Sequence, residues 1–308
     1  MTDLAVSIVS YCTRGLLQRC LHALEHERSS LAMTVTIVDN ASTDGSAEMV
    51  AREFAWARLI RNERNVGFGA GHNQALRGTT ARHLLVLNSD AAPVRGALRL
   101  LVDYLDTHPR VAVVGPRLRY TDGSTQPSRR RFPGVATLFL ESTQLQRFWP
   151  DTAILRRFYV ADRSDHEEQE VDWLVGACLA VRARAAAEIG LFDERYFLYS
   201  EEIDWCRRFV AAGWAVMYLP AAEVVHQEGA STRQDMAARQ RAFQTAKLRY
   251  AARWHGPRVA RALRYYLLVE YLGRGLEEAI KLRLGSRPAE RRARLAIIAS
   301  SFRHLLRG

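Results

Sequence analysis

The sequence predicts an α/β fold in which a mainly parallel central sheet carries helices on both faces and is followed by a basic helical region. Over the first 120 residues, short β-branched runs alternate with helical segments, a pattern typical of βαβ units. The strand runs are apolar along nearly their whole length, as expected for strands covered on both faces. Beyond residue 226 the pattern becomes helical and rich in Arg.

The period of the apolar residues predicts each element. Apolar runs predict the strands AVSIVSY (5–11), TVTIVDN (34–40), ARLIRN (57–62), HLLVLNS (83–89) and VAVVGPRL (111–118). Helical spacing predicts helices in RGLLQRCLHALEHE, GSAEMVAREFA, GAGHNQALRG and RGALRLLVDYLDTH. From 121 to 170 the pattern degrades into turn-rich and polar stretches. We expect an irregular excursion there and no further domain.

Regular structure is predicted again from residue 171. Four segments complete the first domain: VDWLVGACLAVRA (171–183), a helix ending at Gly190, the acidic helix in FLYSEEIDWCRRF (197–209) and the strand WAVMYLP (214–220). The helical tail should break at Gly256-Pro257 and at 286–288. We place one domain at 1–235 and a basic amphipathic helical region at 236–308.

The formal net charge of +11 is unevenly distributed. Residues 236–308 contain 17 Lys/Arg against 4 Asp/Glu, a net +13, whereas residues 1–235 contain 27 against 29, a net −2. A nucleic-acid-binding protein should also have a basic body. The sequence therefore disfavours that class, and we expect no nucleic-acid partner.

The cysteines and the N-terminus indicate the compartment. The four cysteines are scattered without zinc-binding spacing, which predicts reduced, buried thiols in a reducing compartment. The N-terminus lacks a basic n-region, and no uncharged apolar run approaches the about 20 residues that span a membrane. We expect a cytoplasmic protein without a secretory signal or transmembrane segment.

Two polar motifs follow predicted strands of the first half. Asp39 opens VDNASTDGS at the carboxyl end of a strand, where a carboxylate can accept a hydrogen bond from a nucleobase or ribose; an Asx-type turn is the alternative. NVGFGAGHN (65–73) has glycines that allow close approach to a ligand at a helix start. Its spacing does not match a dinucleotide-binding fingerprint, so a nicotinamide-binding domain is disfavoured.

Two further positions suit a metal ion. Asp90 follows the apolar strand LLVLNS, and an oxygen ligand there suits Mg²⁺ or Mn²⁺ held mainly by substrate phosphates; the alternative is a helix N-cap. His226 lies just beyond a strand-like run. Imidazole binds Mn²⁺ well, although a lone His is more often structural.

The stretch FLYSEEIDWCRRF contains three carboxylates within four residues. Ser200 can cap a helix whose first turn holds Glu201 and Glu202, and Asp204 with Arg208 forms an i,i+4 pair. Capping does not explain the aromatic approach LFDERYFLY. Such surroundings raise the pKa of a carboxylate toward that of a useful base.

Taken together, these motifs resemble the inverting glycosyltransferases of family 2 with the GT-A fold, and most closely their rhamnosyltransferase-like branch. The matching stretches are VSIVSY, VDNASTDGS, NVGFGAGHN, LLVLNSD, WLVGACLAVRA, FDERYFLYSEEIDWCRR and HQEGAS, in the order of the family over residues 5–232. The resemblance implies a mixed, mainly parallel sheet. It also implies an enzyme of cell-surface polysaccharide synthesis.

The resemblance also implies roles for single residues. Glu202 would be the catalytic base, with Glu201 beside it, and Asp90 and His226 would bind Mg²⁺ or Mn²⁺. Contacts to the donor nucleotide would come from Tyr11, Asp39, Asn65, Gly67, Asn73 and Asn88. The sugar and acceptor region would be shaped by Trp173, Gly176 and Ala177. Asp204 would be structural through Arg208.

The expected donor is a nucleotide diphosphate sugar, with dTDP-rhamnose as the first choice. A galactofuranosyl- or hexosyltransferase that uses a UDP-sugar is the alternative, and a non-catalytic scaffold is the alternative from another class. The expected acceptor is a hydroxyl of a cell-surface glycan or lipid-linked sugar.

The basic tail has two interpretations. In AERRARLAIIASSFRHLLRG one helical face carries Leu295, Ile298, Phe302 and Leu305, with Arg residues largely off it. This pattern is typical of a helix lying in an anionic membrane surface, which predicts a peripheral protein at the inner face of the cell membrane. The alternative is packing on the rest of the chain or in a homo-oligomer.

Overall fold

The computed structural model describes residues 2–227, 229 and 235–307. It divides into two compact units. The first comprises Met1–Phe132, Tyr159–Phe197 and Glu201–Ser231, and the second comprises Pro133–Phe158, Leu198–Ser200 and Thr232–Gly308. The second unit therefore includes two segments that lie before the domain boundary placed at residue 235.

The strands are β1 (Leu4–Ser10), β2 (Met33–Asp39), β3 (Arg58–Arg61), β4 (His83–Asn88), β5 (Ala91–Pro93), β6 (Val111–Arg119), β7 (Arg129–Arg130), β8 (Gln169–Val171), β9 (Trp173–Leu174), β10 (Cys178–Arg182) and β11 (Ala215–His226). The helices are α1 (Arg14–Glu27), α2 (Ser46–Glu53), α3 (Phe68–Leu76), α4 (Ala97–Thr107), α5 (Val135–Leu140), α6 (Gln144–Phe148), α7 (Ala153–Phe158), α8 (Ala183–Ile189), α9 (Glu201–Ala211), α10 (Met236–His255), α11 (Pro257–Arg283) and α12 (Pro288–Arg307).

The first unit is built on a mixed sheet of strand order β3-β2-β1-β4-β10-β6-β11-β5, with β8 paired to β11. The strands β3, β2, β1 and β4 run parallel to one another, and β6 runs parallel to β11, while β5 and β8 are antiparallel to β11. β10 lies antiparallel between β4 and β6. The predicted mixed, mainly parallel sheet is confirmed, and so are the helices after it.

Burial on both faces explains the apolar strands. Six of the seven residues of β1 and five of the six residues of β4 are buried. Ile8, Ile37 and Leu85 from three neighbouring strands share one core with Leu21 and Leu101 from the helices α1 and α4. The helices therefore cover the sheet as the continuous apolar pattern predicted.

The strand register positions the polar ends. Ser10 pairs with Asp39, and Val9 pairs with Asn88, in neighbouring parallel strands. The carboxyl ends of β1, β2 and β4 therefore meet at one edge of the sheet. Loops at this edge are where ligands of open α/β sheets bind.

The irregular excursion expected at 121–170 is wrong in part. The helices α5, α6 and α7 lie within it and belong to the second unit. They have only five or six residues each, which is too short for helical periodicity to be recognised. Leu138 and Leu155 are buried, so the segment is packed.

The predicted tail breaks are confirmed. Gly256 separates α10 from α11 with φ of 90°, and Pro257 opens α11, where a missing backbone N–H costs nothing. Within the described part of the chain, no helix is both long and apolar enough to cross a bilayer. The four cysteines, all among the described residues, form no disulfide; Cys12 is half-buried and the others are buried.

Candidate active site

Asp39, at the end of β2, forms the Asx-type turn through one of its two carboxylate oxygens. The side chain is buried, and its Oδ2 accepts a hydrogen bond of 3.0 Å from the backbone N–H of Ser42. Its Oδ1 is buried without a hydrogen-bond partner among the described residues. A buried polar atom without a partner is costly. The Asx-type turn therefore uses one oxygen and leaves the other for a ligand.

The loops after β1 and β2 are tied together beside Asp39. The backbone N–H of Cys12 donates to Ser42 Oγ at 2.9 Å, and that of Arg14 donates to Asp44 Oδ2 at 2.8 Å. Cys12 itself has φ of 50°, in the left-handed region. Tyr11, predicted to line the nucleotide pocket, is half-buried in this loop.

The glycines at the start of α3 approach protein atoms closely. A Cβ on Gly67 would lie 2.4 Å from the carbonyl oxygen of Phe197. One on Gly69 would lie 3.0 Å from Phe192 Cβ, and one on Gly71 would lie 2.8 Å from Val9 Cγ2. The close approach expected at these glycines is present, but its partners are β1 and the segment before α9. The absence of a Cβ at these glycines therefore lets α3 pack closely against β1 and the segment before α9.

Replacing Gly67 by Ala is expected to lower the free energy of unfolding by at least about 3 kcal/mol. Gly67 has φ of 92° and ψ of 177°, a region open essentially to glycine alone, and the added methyl group meets backbone. Urea unfolding would measure the loss. Gly78→Ala is the matched control, because Gly78 has φ of 74° with nothing within 4 Å of its Cβ position. Equal losses in the two variants would show that contact with Phe197 is unimportant.

Asn73 and Asn65 also bond to protein. Asn73 is buried, and its Nδ2 donates to the Phe192 carbonyl and to Glu194 Oε1, each at 2.9 Å. Its Oδ1 accepts from the Phe192 N–H at 3.1 Å. Both amide hydrogens are used, so Asn73 fixes the segment before α9 and has no donor left for the expected nucleotide contact. Asn65 Oδ1 accepts from the Gly67 N–H at 2.9 Å.

Asp90 and His226 are brought together by the pairing of β5 with β11, in which His226 opposes Ala91. Asp90 Oδ1 lies 3.2 Å from His226 Nε2, and both side chains are almost fully buried. His226 Nδ1 is 2.8 Å from Gln126 Oε1. Since an amide oxygen accepts, Nδ1 carries the proton and Nε2 offers its lone pair beside Asp90. Asn88 Nδ2 lies 3.3 Å from the same nitrogen.

This pair fits a divalent cation. Adjacent ligands of an octahedral ion with bonds of about 2.1 Å lie about 3 Å apart, close to the observed spacing. A histidine oriented by a hydrogen bond to its other nitrogen is typical of metal ligands. Among the described residues no group of three or more His, Cys, Asp and Glu side chains converges as a metal cluster. The other ligands would have to come from substrate and water.

The first turn of α9 holds two buried carboxyl groups. Glu201 is buried, and the Oε2 atoms of Glu201 and Glu202 are enclosed without a hydrogen-bond partner in the described chain. Burial raises the pKa of Glu202 to about 7. Burial, together with the charge of Glu202, raises the pKa of Glu201 well above its ordinary value. A carboxyl group with a pKa near neutrality is suited to general-base catalysis, and such perturbed groups cluster at functional sites.

The remaining parts of the acidic stretch are structural. Arg208 Nε donates to Asp204 Oδ2 at 3.0 Å, and Asp204 is fully buried, which confirms the predicted pair. Ser200 has φ of 65° and so departs from the extended backbone usual for a helix N-cap. Tyr199 before it also has a positive φ, of 71°. Consecutive non-glycine residues in this region store strain, which is common at functional sites.

The three residues expected to shape the sugar and acceptor region, Trp173, Gly176 and Ala177, lie in different surroundings. A Cβ on Gly176 would lie 3.5 Å from Glu202 Cβ and 3.6 Å from Phe68 Cζ, so Gly176 borders the catalytic turn. Ala177 is buried in the core, and its carbonyl accepts from the Asn88 N–H at 2.9 Å. Trp173 is buried, with its Nε1 donating to the Arg131 carbonyl at 3.0 Å. Gly176 therefore lies directly against Glu202.

Sequence reasoning missed two residues of this region. Gln126 orients His226, and the charge of Arg130 lowers the pKa of Glu202, which favours the carboxylate form. Arg130 pairs with Trp173 across the β7–β9 ladder and lies over the Tyr159 ring at 4.7 Å. Both residues lie in the turn-rich stretch TDGSTQPSRRRFPG. The three consecutive arginines of this stretch were the sequence feature that could have indicated a functional role.

Comparison with known proteins identifies the family of the chain. The model of the family "Glycosyl transferase family 2" matches residues 6–164. An N-acetylglucosaminyl-diphospho-decaprenol L-rhamnosyltransferase of Mycobacterium tuberculosis is 32% identical over 291 residues, covering 87% of this chain and 94% of that protein.

Solved structures show the same fold. The mannosyltransferase PcManGT of Pyrobaculum calidifontis, solved with GDP-Man and Mn²⁺, superposes with a TM-score of 0.54 at 16% identity over 99% of this chain and 88% of that one. GalNAc-T7, solved with UDP, GalNAc and Mn²⁺, has a TM-score of 0.56 at 15% identity over 80% of this chain, which spans 48% of that protein. The GT-A prediction is confirmed, and the chain belongs to glycosyltransferase family 2 as an enzyme that transfers a sugar.

Proposed function

We propose that the protein transfers L-rhamnose from dTDP-rhamnose to a hydroxyl of a lipid-linked glycan and inverts the anomeric carbon. The observation that carries the catalytic part is Glu202, a half-buried side chain whose enclosed Oε2 has no hydrogen-bond partner among the described residues and whose pKa is raised to about 7. The choice of sugar and acceptor rests on the M. tuberculosis rhamnosyltransferase, whose similarity extends over 94% of its length. A UDP-dependent galactofuranosyl- or hexosyltransferase is the second candidate, because GalNAc-T7 was solved with UDP.

The donor nucleotide would lie at the carboxyl ends of β1, β2 and β4. Asp39 Oδ1, which lacks a partner among the described residues, would accept a hydrogen bond from the imide N–H of the base. Thymine and uracil both carry that group, so Asp39 suits either donor. Tyr11, in the loop after β1, would line the pocket, and Asn65 and Gly67 would frame it from the start of α3.

Asp90 and His226 would hold a Mg²⁺ or Mn²⁺ ion, which when bound offsets the negative charge of the leaving diphosphate. Glu202 then takes the proton of the acceptor hydroxyl. The acceptor oxygen forms a bond to the anomeric carbon while the bond from that carbon to the diphosphate oxygen breaks. Attack from the face opposite the diphosphate inverts the carbon, and the proton remains on Glu202.

A lipid-linked acceptor would place the enzyme at the inner face of the cell membrane as a peripheral protein. The net charge of +13 in residues 236–308 supports contact with an anionic surface. A homo-oligomer is compatible with this arrangement.

Thermal-shift measurements with dTDP, UDP and GDP and their sugars, with and without Mn²⁺, test the donor. We expect the largest shift with dTDP-rhamnose in the presence of Mn²⁺, of several degrees at saturation, since a ligand at about 100 times its Kd adds about 2.7 kcal/mol. Asp39→Asn should reduce the shift, because it places an amide in the position of an acceptor. A larger response to a UDP-sugar would favour the second candidate, and no metal-dependent response to any nucleotide would refute the proposal.

A further inference from the structure

The amphipathic face of α12, predicted to lie on a membrane, is used for packing within the second unit. Leu305 is buried, and Leu295, Ile298 and Phe302 are half-buried. Ile298 Cγ2 lies 3.6 Å from the Cβ position of Gly275 in α11. Arg241 of α10 donates to Ser300 Oγ at 2.7 Å. The apolar side of α12 is therefore largely covered, with Ile298 against α11, and it is not a free apolar stripe for lipid.

The neighbouring helix α11 presents an apolar stripe to solvent instead. Six large side chains spaced three or four residues apart are between 51% and 78% exposed: Tyr265, Val269, Leu272, Leu276, Ile280 and Leu284. Side chains at this spacing share one helical face. At 1.5 Å per residue the stripe is about 28 Å long. Isolated exposed apolar residues are ordinary, but a contiguous stripe marks an interaction surface. We call it the α11 stripe.

The charges around the α11 stripe are basic. Helical spacing places Arg258 and Arg261 at one end of its face and Arg283 at the other, and all three are exposed. The three carboxylates of α11, whose residues are all described, lie off this face and pair with cations. Glu270 pairs with Arg274, Glu277 with Lys281 and Arg147, and Glu278 with Arg291. An apolar centre with cationic ends suits an anionic partner.

Two exposed aromatic residues lie at the end of α6, a short helix that is hydrogen-bonded to α11. Phe148, the last residue of α6, is 65% exposed, and Trp149 after it is 59% exposed. Arg147 Nη1 bonds to Glu277 Oε1 at 3.1 Å, and the Gln144 N–H donates to Glu270 Oε1 at 2.8 Å. These bonds hold the end of α6 beside α11. Trp is enriched where proteins meet the headgroup region of a bilayer.

We propose that the α11 stripe, with Phe148 and Trp149, is the surface through which the protein binds an anionic lipid bilayer. A second copy of the chain fits less well, because pairing two stripes in either direction brings arginines against arginines. Anionic headgroups instead meet these arginines while the apolar side chains enter the acyl boundary. The biological role of this surface rests on the proposed function, since a lipid-linked acceptor lies in such a bilayer.

The test is co-sedimentation of the full chain with vesicles of phosphatidylcholine alone or with an equal part of phosphatidylglycerol. We expect binding to the anionic vesicles, weakened at least about tenfold in the triple variant Val269→Gln, Leu272→Gln, Leu276→Gln. Arg258→Gln, Arg261→Gln, Arg283→Gln should weaken it similarly and remove its dependence on salt. The matched control is Val94→Gln, Leu100→Gln, which changes exposed apolar residues of the first unit and should bind as the unchanged protein does.

Sedimentation velocity and the dTDP-rhamnose thermal shift accompany each variant. Two results would overturn the proposal. The first is that the apolar triple variant still binds vesicles. The second is that the unchanged protein does not bind vesicles but forms a dimer, and that the apolar triple variant dissociates this dimer. A protein that binds vesicles but shows no metal-dependent nucleotide shift would refute the proposed function and leave the surface assigned. The changed side chains are exposed, so each variant should keep its melting temperature within a few degrees.

Discussion

Replacing Glu202 by Gln is expected to give a folded protein that binds donor nucleotide and transfers sugar at least about 1,000-fold more slowly. The amide keeps the size of the side chain but cannot take a proton from the acceptor hydroxyl. Initial rates of sugar transfer, with the nucleotide-induced thermal shift as the binding measurement, separate the two effects. Glu201→Gln is the neighbouring control and should lower the rate less. Full turnover by Glu202→Gln would remove Glu202 from the mechanism.

The raised pKa of Glu202 adds a dependence on pH to this expectation. Only the carboxylate accepts a proton, so kcat/KM should fall about tenfold per pH unit below about 7. The free energy of unfolding changes with pH in the opposite direction to kcat/KM. The folded protein holds this proton up to a pKa of about 7, whereas the ordinary pKa of a glutamate side chain is 4.5. The unfolded chain releases it earlier, so stability declines as pH rises from about 4.5 to 7.

Glu202→Gln should therefore match the unchanged protein in melting temperature at pH 4 and exceed it at pH 8, by up to about 3 kcal/mol of unfolding free energy. Thermal melting at the two pH values measures the difference. A variant that is equally or less stable at pH 8 would show that Glu202 is not held in an unfavourable environment.

Replacing Asp90 by Ala is expected to reduce kcat/KM by at least about 100-fold and to abolish the effect of Mn²⁺ on nucleotide binding. Asp90 Oδ1 lies 3.2 Å from His226 Nε2, and its loss leaves one protein ligand of the proposed pair. Thermal shift with dTDP in a Mn²⁺ titration measures binding apart from catalysis.

Glu223→Gln is the control for Asp90→Ala. Glu223 lies on the same strand as His226 and pairs with Arg119 at 2.7 Å, so its charge is used within the protein. Its variant should keep the response to Mn²⁺. If Asp90→Ala kept that response as well, the Asp90–His226 pair would not be the metal site.

Much of the first unit was predictable, because its signals are local. The alternation of apolar runs and helical segments predicted the parallel strands β1 to β4 and the helices α1 to α4 close to their observed bounds. Asp39 and Asn88 stand at strand ends in the sequence itself. Parallel pairing brings such ends to one edge, so the clustering of polar residues there followed from the order of the elements.

Details of hydrogen bonding were not predictable, because they depend on residues far apart in the chain. Asn73 was expected at the nucleotide, but Phe192 and Glu194 use its amide. The glycines of α3 were expected to approach a ligand, and the first of them approaches Phe197. A motif indicates that a residue type is needed at a position and does not indicate which distant group it meets.

The sequence by itself determined an α/β sheet with polar strand ends, an acidic stretch suited to a base and a basic helical tail. Only the tertiary structure decided that Glu201 is buried and that Glu202 Oε2 is enclosed, that Gln126 orients His226, and that α11 rather than α12 exposes its apolar side. The physical reason is that periodicity shows that a helix has an apolar face. Which neighbour buries that face, or whether any does, depends on contacts between distant parts of the chain.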